Sequence, residues 1–234
     1  MKENIYTIPI NDAFSSDCEC PICDFMSKEE KSRIEYSLGA SMMEPDERIA
    51  SNELGYCKRH TQMMYDFGNK LSHALVLETR LKQMSKELLD YKKSIKKPRK
   101  FFASSKEPVA LAHGQTCVVC KRLDKILSDF TSNLFYLYKK DAEFKEKFFS
   151  SKGFCLPHFE LLINTAHSHL SGEAAYDFIT KLCALQEKNL LRVTEDVEWF
   201  TKKFDYRYKD EDWKNSKDAV IRACLKISGY IEEK

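Results

Sequence analysis

At 234 residues, with 38 Lys and Arg against 36 Asp and Glu, the chain has length for one large domain or two small ones and too little net charge (+2) to single out a polyanionic partner. Seven Gly, six Pro and 32% charged residues fit a helix-rich soluble protein better than a turn-rich sandwich. No apolar run reaches the ~20 residues of a membrane helix, and MKENIYTIPINDAF has no long apolar stretch behind its lysine, so the expected compartment is the cytoplasm.

In chain order, Ile5, Ile8 and Ile10 form a short apolar segment read as an extended arm. Cys18-Glu-Cys20-Pro-Ile-Cys23 makes a first knuckle. A helix follows, with Phe25, Met26, Ile34 and Leu38 on one face, and Gly39 ends it. Glu44-Pro45-Asp46-Glu47 opens a short helix to about Asn52. Gly55 turns the chain so that Cys57 and His60 enter the next helix. Met64, Phe67, Leu71, Ala74, Leu77, Leu81, Met84, Leu88 and Tyr91 then alternate threes and fours, the seam of an amphipathic helix, with Gly68-Asn69 as a candidate break. Lys92, Lys93, Lys96, Lys97, Arg99 and Lys100 crowd around Pro98 in a linker that separates two copies of one pattern.

The second copy repeats the order. Leu123, Ile126, Leu127, Phe130, Leu134 and Leu137 follow Cys120 on one helical face, and Asp141 opens a short helix carrying Phe144, Phe148 and Phe149. Gly153 turns the chain into Cys155, and Pro157 sits in the next first turn. Ser171-Gly172 breaks that helix. Another runs through Phe178, Leu182, Leu185, Val193, Val197, Phe200 and Phe204. After a polar and aromatic tail from Tyr206 to Trp213 comes a last helix with Val220, Ile221, Cys224, Leu225 and Ile227 on one side. No segment alternates with period two over any length, which makes the fold class all-α.

The chemistry lies in the repeated unit. Each copy reads C-x-x-C and then G-aromatic-C-x-x-H, with 33 or 34 residues between the second and third cysteines. The ligand sets are Cys20, Cys23, Cys57 and His60 in the first copy, and Cys117, Cys120, Cys155 and His158 in the second. A tight knuckle lets two thiolates converge, and C-x-x-H at a helix start puts the other two ligands on one face, where the N-terminus favours a thiolate. Three thiolates and a neutral imidazole close a tetrahedral Zn²⁺ site at a net charge of about −1, with no open position for a reactive water. Two zinc ions per chain, in structural sites, are expected. An iron–sulfur centre is the alternative cofactor.

Six of the nine cysteines fall in these motifs. A disulfide framework would leave both histidines without a reason, and a dithiol redox centre lacks the βαβ context it normally has. Cys18 has Gln115 as its counterpart in the second copy, so it reads as a bystander. Cys183 and Cys224 read as buried small hydrophobes. His113, His167, His169 and His73 are poorer candidates for ligands. No phosphate-cradling glycine loop, H-E-x-x-H or G-x-S-x-G is present, so no catalytic residue is assigned. The basic linker reads as solvated, not as a specific nucleic-acid site.

With the paired motifs, the IYTIPINDAF start, CECPIC, the SLGASMMEPDERIASNELGYCKRH block and the FDYRYKDEDWKNSKDAV tail, the chain resembles a bacterial family known only as a domain of unknown function. The resemblance runs nearly end to end. It implies the same eight metal ligands and carries no activity or substrate.

The expected architecture is two helical pseudo-repeats, residues 1–97 and 98–205, each closing its own Cys3His site, followed by a tail and helix at 206–234. The stripes Met64–Tyr91 and Phe178–Phe204 are expected to share a core. The expected role is a zinc-binding, non-catalytic binding or adaptor module with a protein partner. A thiol-based redox or metal-responsive protein is the alternative.

Overall fold

The computed structural model describes residues 6–95 and 116–229, and over these it is all-helical, with ten α-helices and no strand. The prolines and lysines of the linker beyond Ile95, with Phe101, Phe102 and His113, lie outside the described residues, as does Ile5. No helix among the described residues is long and apolar enough to cross a membrane.

Ile8–Ser15 is a helix, α1, not an extended arm. Pro9 is tolerated in its first turn, and Ile10, Ala13 and Phe14 are buried at spacings of three and four, which outweigh the alternation of Ile8 and Ile10. Helix α2 (Pro21–Ser37) starts at the first knuckle. After a 3-10 turn, Ala40–Met43, helix α3 (Pro45–Leu54) runs back to Gly55. Helices α4 (Lys58–Asp66) and α5 (Lys70–Ser94) are separate: the break at Gly68-Asn69 is real, and the Asn69 side chain caps α5 by accepting from the Ser72 amide at 3.2 Å.

In the second copy α6 (Val118–Lys140) leaves the knuckle, and α7 (Ala142–Ser150) is capped by Asp141, which accepts from the amides of Glu143 and Phe144. Helix α8 (Leu156–His169) follows, then α9 (Gly172–Lys202) after the break at Ser171, a 3-10 turn at Tyr206–Tyr208, and α10 (Ala219–Ser228).

These elements fall into two compact units that cut across the expected boundaries at 97/98 and 205/206. The described residues of Met1–Lys28 and Ile126–Lys234 form the first, and those of Glu29–Lys125 the second. The division passes through α2 and α6, so each of these helices gives one part to each unit.

The first unit is built on rings. Phe14, Phe144, Phe148, Phe154 and Phe178 are all buried, with Phe148 at the centre: its ring centroid lies 5.4 Å from that of Phe14, 5.3 Å from Phe154 and 5.6 Å from Phe178. Helix α9 contributes Phe178, Leu182, Leu185 and Val193, as its stripe predicts, but Phe204 is exposed. The tail belongs to this unit. Buried Lys203 donates to the carbonyls of Tyr208, Lys209 and Glu211, and Trp199 Nε1 donates to Asp212 O. Helix α10 turns a different face inward from the one its apolar residues suggest. Val220 and Ile227 are exposed, while Ala219 and Lys226 are buried and Arg222 pairs with Asp196 and Asp218.

The second unit has a smaller core of Ile34, Leu38, Met64, Val118 and Val119. Helix α5 packs on α3 and α4 through buried His73 and half-buried Val76. Beyond buried Met64, the Met64–Tyr91 stripe lies largely off that face. Phe67, Leu71, Leu77, Leu81 and Leu88 are exposed, so the expected common core with α9 gives way to two core clusters, one per unit.

Candidate metal centres

The eight sequence-nominated residues gather into two groups of four, but not copy by copy. Cys20, Cys23, Cys155 and His158 form one group, in the first unit; Cys57, His60, Cys117 and Cys120 form the other, in the second. Each knuckle meets the C-x-x-H of the other copy, which corrects the expected closure within copies. Helix length supplies the reason. Helix α2 has 17 residues, about 25 Å, and the returning α3 only 10, about 15 Å; α6 has 23, about 35 Å, against 9, about 14 Å, in α7. A second helix so much shorter than the first cannot carry the chain back to the knuckle it left.

Within each group one donor atom per residue lies within 4.8 Å of the others. In the first, Cys20 Sγ and Cys23 Sγ are 3.9 and 3.5 Å from Cys155 Sγ. His158 Nδ1 is 3.5, 3.3 and 3.1 Å from Cys20, Cys23 and Cys155. In the second, His60 Nδ1 is 3.2 Å from both Cys57 and Cys117 and 3.4 Å from Cys120, with Cys57 and Cys120 3.9 Å apart. A tetrahedral zinc ion with the usual bond lengths has edges of about 3.8 Å between sulfurs and about 3.6 Å from sulfur to nitrogen. The donor sets fit such an ion in chemistry and in spacing.

The two C-x-x-H turns are built alike. Cys57 and Cys155 each cap the following helix with φ −72°, ψ 166° and φ −71°, ψ 156°, and Gly55 and Gly153 take φ of +66° and +78°. In the first unit buried Gln186 clamps Phe154, accepting from its amide at 3.0 Å and donating to its carbonyl at 2.8 Å. A Cβ on Gly153 would come within 3.0 Å of Gln186 Oε1. In the second, the knuckle is tied directly to the turn: Val118 N donates to Gly55 O at 3.0 Å and Thr116 Oγ1 to Leu54 O at 2.7 Å.

Surroundings differ more. His60 is buried with Nδ1 toward the thiols and Nε2 2.9 Å from Glu30 Oε1; Arg59 donates to the other Glu30 oxygen at 2.6 Å. A carboxylate behind a ligating imidazole fixes its tautomer and raises its basicity. Leu127 stands at the matching place on α6, seven residues after Cys120 as Glu30 is after Cys23, so His158 receives no carboxylate from there.

The first group has a buried cation nearby instead. Lys226 donates to Glu19 O at 2.7 Å and to Lys152 O, and its Nζ is 3.1 Å from the Glu19 carboxylate, which also accepts from Arg192 at 2.6 Å. Burial lowers the Lys226 amine against the opposing pull of Glu19 and of Cys20. Gly229, with φ +88°, closes over the thiols: a Cβ there would lie 3.7 Å from both Cys23 and Cys155 Sγ.

Charge is unevenly shared within each group. Burial works against an ionised Cys117, but hydrogen bonding with His60 brings it down to about 6. His60 is itself carried up to about 10 by Cys117 and Glu30 against its own desolvation. Burial and the charge of Cys117 push Cys120 up to about 12. Cys155, accepting from Cys20 and Cys23, is held down at about 3, and Cys23 as a donor rises. Each metal-free cluster thus favours one thiolate, paired in the second cluster with a protonated His60, and a bound cation would displace the remaining protons.

Among the other nominated groups, Cys18 lies outside the cluster, half-buried. Cys183 is exposed and Cys224 half-buried, so neither is the core residue expected. His169 stacks on Phe135 with centroids 4.8 Å apart. Sequence reasoning missed Glu30, Glu19, Gln186 and Lys226. Gln186 left a trace, a polar side chain on the inward stripe of Leu182, Leu185 and Val193. Glu30, in the charged run Glu29-Glu30-Lys31, left none.

Fold and site together define an all-helical protein with two Cys3His clusters able to hold metal ions. Residues 1–234 match a family of unknown function (DUF6062), and the chain belongs to that family. No curated protein and no solved structure matches it.

Proposed function

We propose that the chain binds two zinc ions as closed structural centres and works as a non-catalytic binding or adaptor module. The donor geometry carries this reading: three sulfurs and one imidazole nitrogen at tetrahedral spacing, twice, with most donors buried. Cys20, Cys23, Cys155 and His158 would hold one ion, and Cys57, His60, Cys117 and Cys120 the other. All four positions would be filled by protein, so the ion would supply cross-linking energy between distant chain segments and no activated water.

Elemental analysis with an absorption spectrum, on full-length protein purified without oxygen, tests the proposal. The expected result is two zinc ions per chain and no visible absorption. A brown protein with charge-transfer bands would replace zinc by iron–sulfur and favour a redox role, and a fully folded, metal-free protein would overturn the reading.

A further inference from the structure

We propose that the face of α5 left uncovered by the described residues is a homodimer interface, an antiparallel two-stranded coiled coil with a second copy of this chain. The face has the 3.5-residue repeat of such a seam. Ala74, Leu81 and Leu88 are seven apart, and Leu77, Met84 and Tyr91 are seven apart three residues later, giving six consecutive apolar a and d positions. Leu77, Leu81 and Leu88 are 41%, 61% and 53% exposed, Ala74 is exposed, and Met84 and Tyr91 are half-buried. The helix spends the adjoining face, His73 and Val76, on its own unit. An apolar strip of this length left in water marks an interaction surface.

Volume and charge choose the occupant and its direction. Antiparallel pairing sets Ala74 against Tyr91, Leu77 against Leu88 and Leu81 against Met84 of the second copy, so small meets large at each end. Parallel pairing would set alanine on alanine and tyrosine on tyrosine. The g positions then place Arg80 beside Glu87 of the second copy, twice by symmetry. Arg80 also donates to Asn52 O of α3. Lys92 and Lys93 at the helix end are kept away from their own copies, where parallel pairing would bring like charges together.

Sedimentation equilibrium of the full-length protein tests this, at concentrations from about 1 to about 100 μM, a range set against the mM-to-nM scale of association energies. A dimer is expected. Leu81→Glu/Leu88→Glu should be monomeric with unchanged helix content, since Glu is a good helix former at exposed positions. Leu81→Gln/Leu88→Gln, without added charge, should raise the dissociation constant at least about tenfold, the equivalent of about 1.4 kcal/mol. Glu87→Arg should weaken the dimer and Arg80→Glu/Glu87→Arg restore it. A wild-type monomer throughout the range, or a dimer indifferent to the changes at Leu81 and Leu88, would overturn the interface. Loss at Glu87→Arg without rescue would overturn the antiparallel direction.

Discussion

Glu30 shows how much a single side chain outside the ligand set can decide. Its carboxylate is the only group in that cluster's surroundings with a hydrogen bond to His60 Nε2 among the described residues, and it sits on α2, a helix whose own Cys23 belongs to the other cluster. Removing the charge while keeping the shape isolates this effect. Glu30→Gln should weaken metal binding by about 10–100-fold at the Cys57–Cys120 cluster and leave the other unchanged. Competition with a chromogenic chelator would then resolve one weakened and one wild-type site. Equal weakening of both, or of neither, would mean that the carboxylate does not tune its histidine. The loss of the Arg59 contact should add little, because Arg59 is more than half exposed and surface ion pairs contribute about 0–1 kcal/mol.

At the scale of elements, unequal helix lengths turn two tandem motifs into two exchanged sites, and double substitutions can read this directly. Cys20→Ser/Cys155→Ser removes two ligands from one cluster and should cost one metal ion. Cys20→Ser/Cys57→Ser removes one ligand from each and should cost both. Closure within copies predicts the reverse assignment, so a metal count on these two proteins decides between them. The eight residues that cluster and most helix boundaries were legible in the sequence, because they rest on local signals: C-x-x-C, C-x-x-H, Asp141, Gly68-Asn69, Ser171-Gly172. The pairing was not, since both closures put the same donors in a cluster and only the length of α2 and α6 separates them. Burial of α5 and α10 was misread for a related reason. An apolar stripe says that a face wants cover, not that its own chain supplies it, and on α10 buried Lys226 and half-buried Arg222 serve carboxylates where apolar residues were expected to pack.

For the whole molecule, the exchange makes each half of the sequence incomplete. A fragment ending in the linker near residue 97 keeps Cys20, Cys23, Cys57 and His60, yet the structure sends its knuckle to Cys155 and His158 and its C-x-x-H to Cys117 and Cys120. The aromatic core of the first unit is also divided. Phe14 packs on Phe144 and Phe148, and Phe25 stacks on Phe130 at 4.4 Å, so cutting the linker strips Phe14 and Phe25 of these neighbours. Stripping a buried ring such as Phe14 of its packing costs on the order of 3–5 kcal/mol, a large share of a domain's net stability. Fragments 1–97 and 98–234, purified separately, should therefore show low helix content and bind zinc weakly. Mixed in equal amounts with two equivalents of zinc, they should recover native helicity, two bound ions per pair and a single cooperative transition, because metal binding and folding are linked in sites that no fragment holds alone. Two halves that each fold as monomers and each bind one zinc ion with native affinity would show that the ligands close within copies after all.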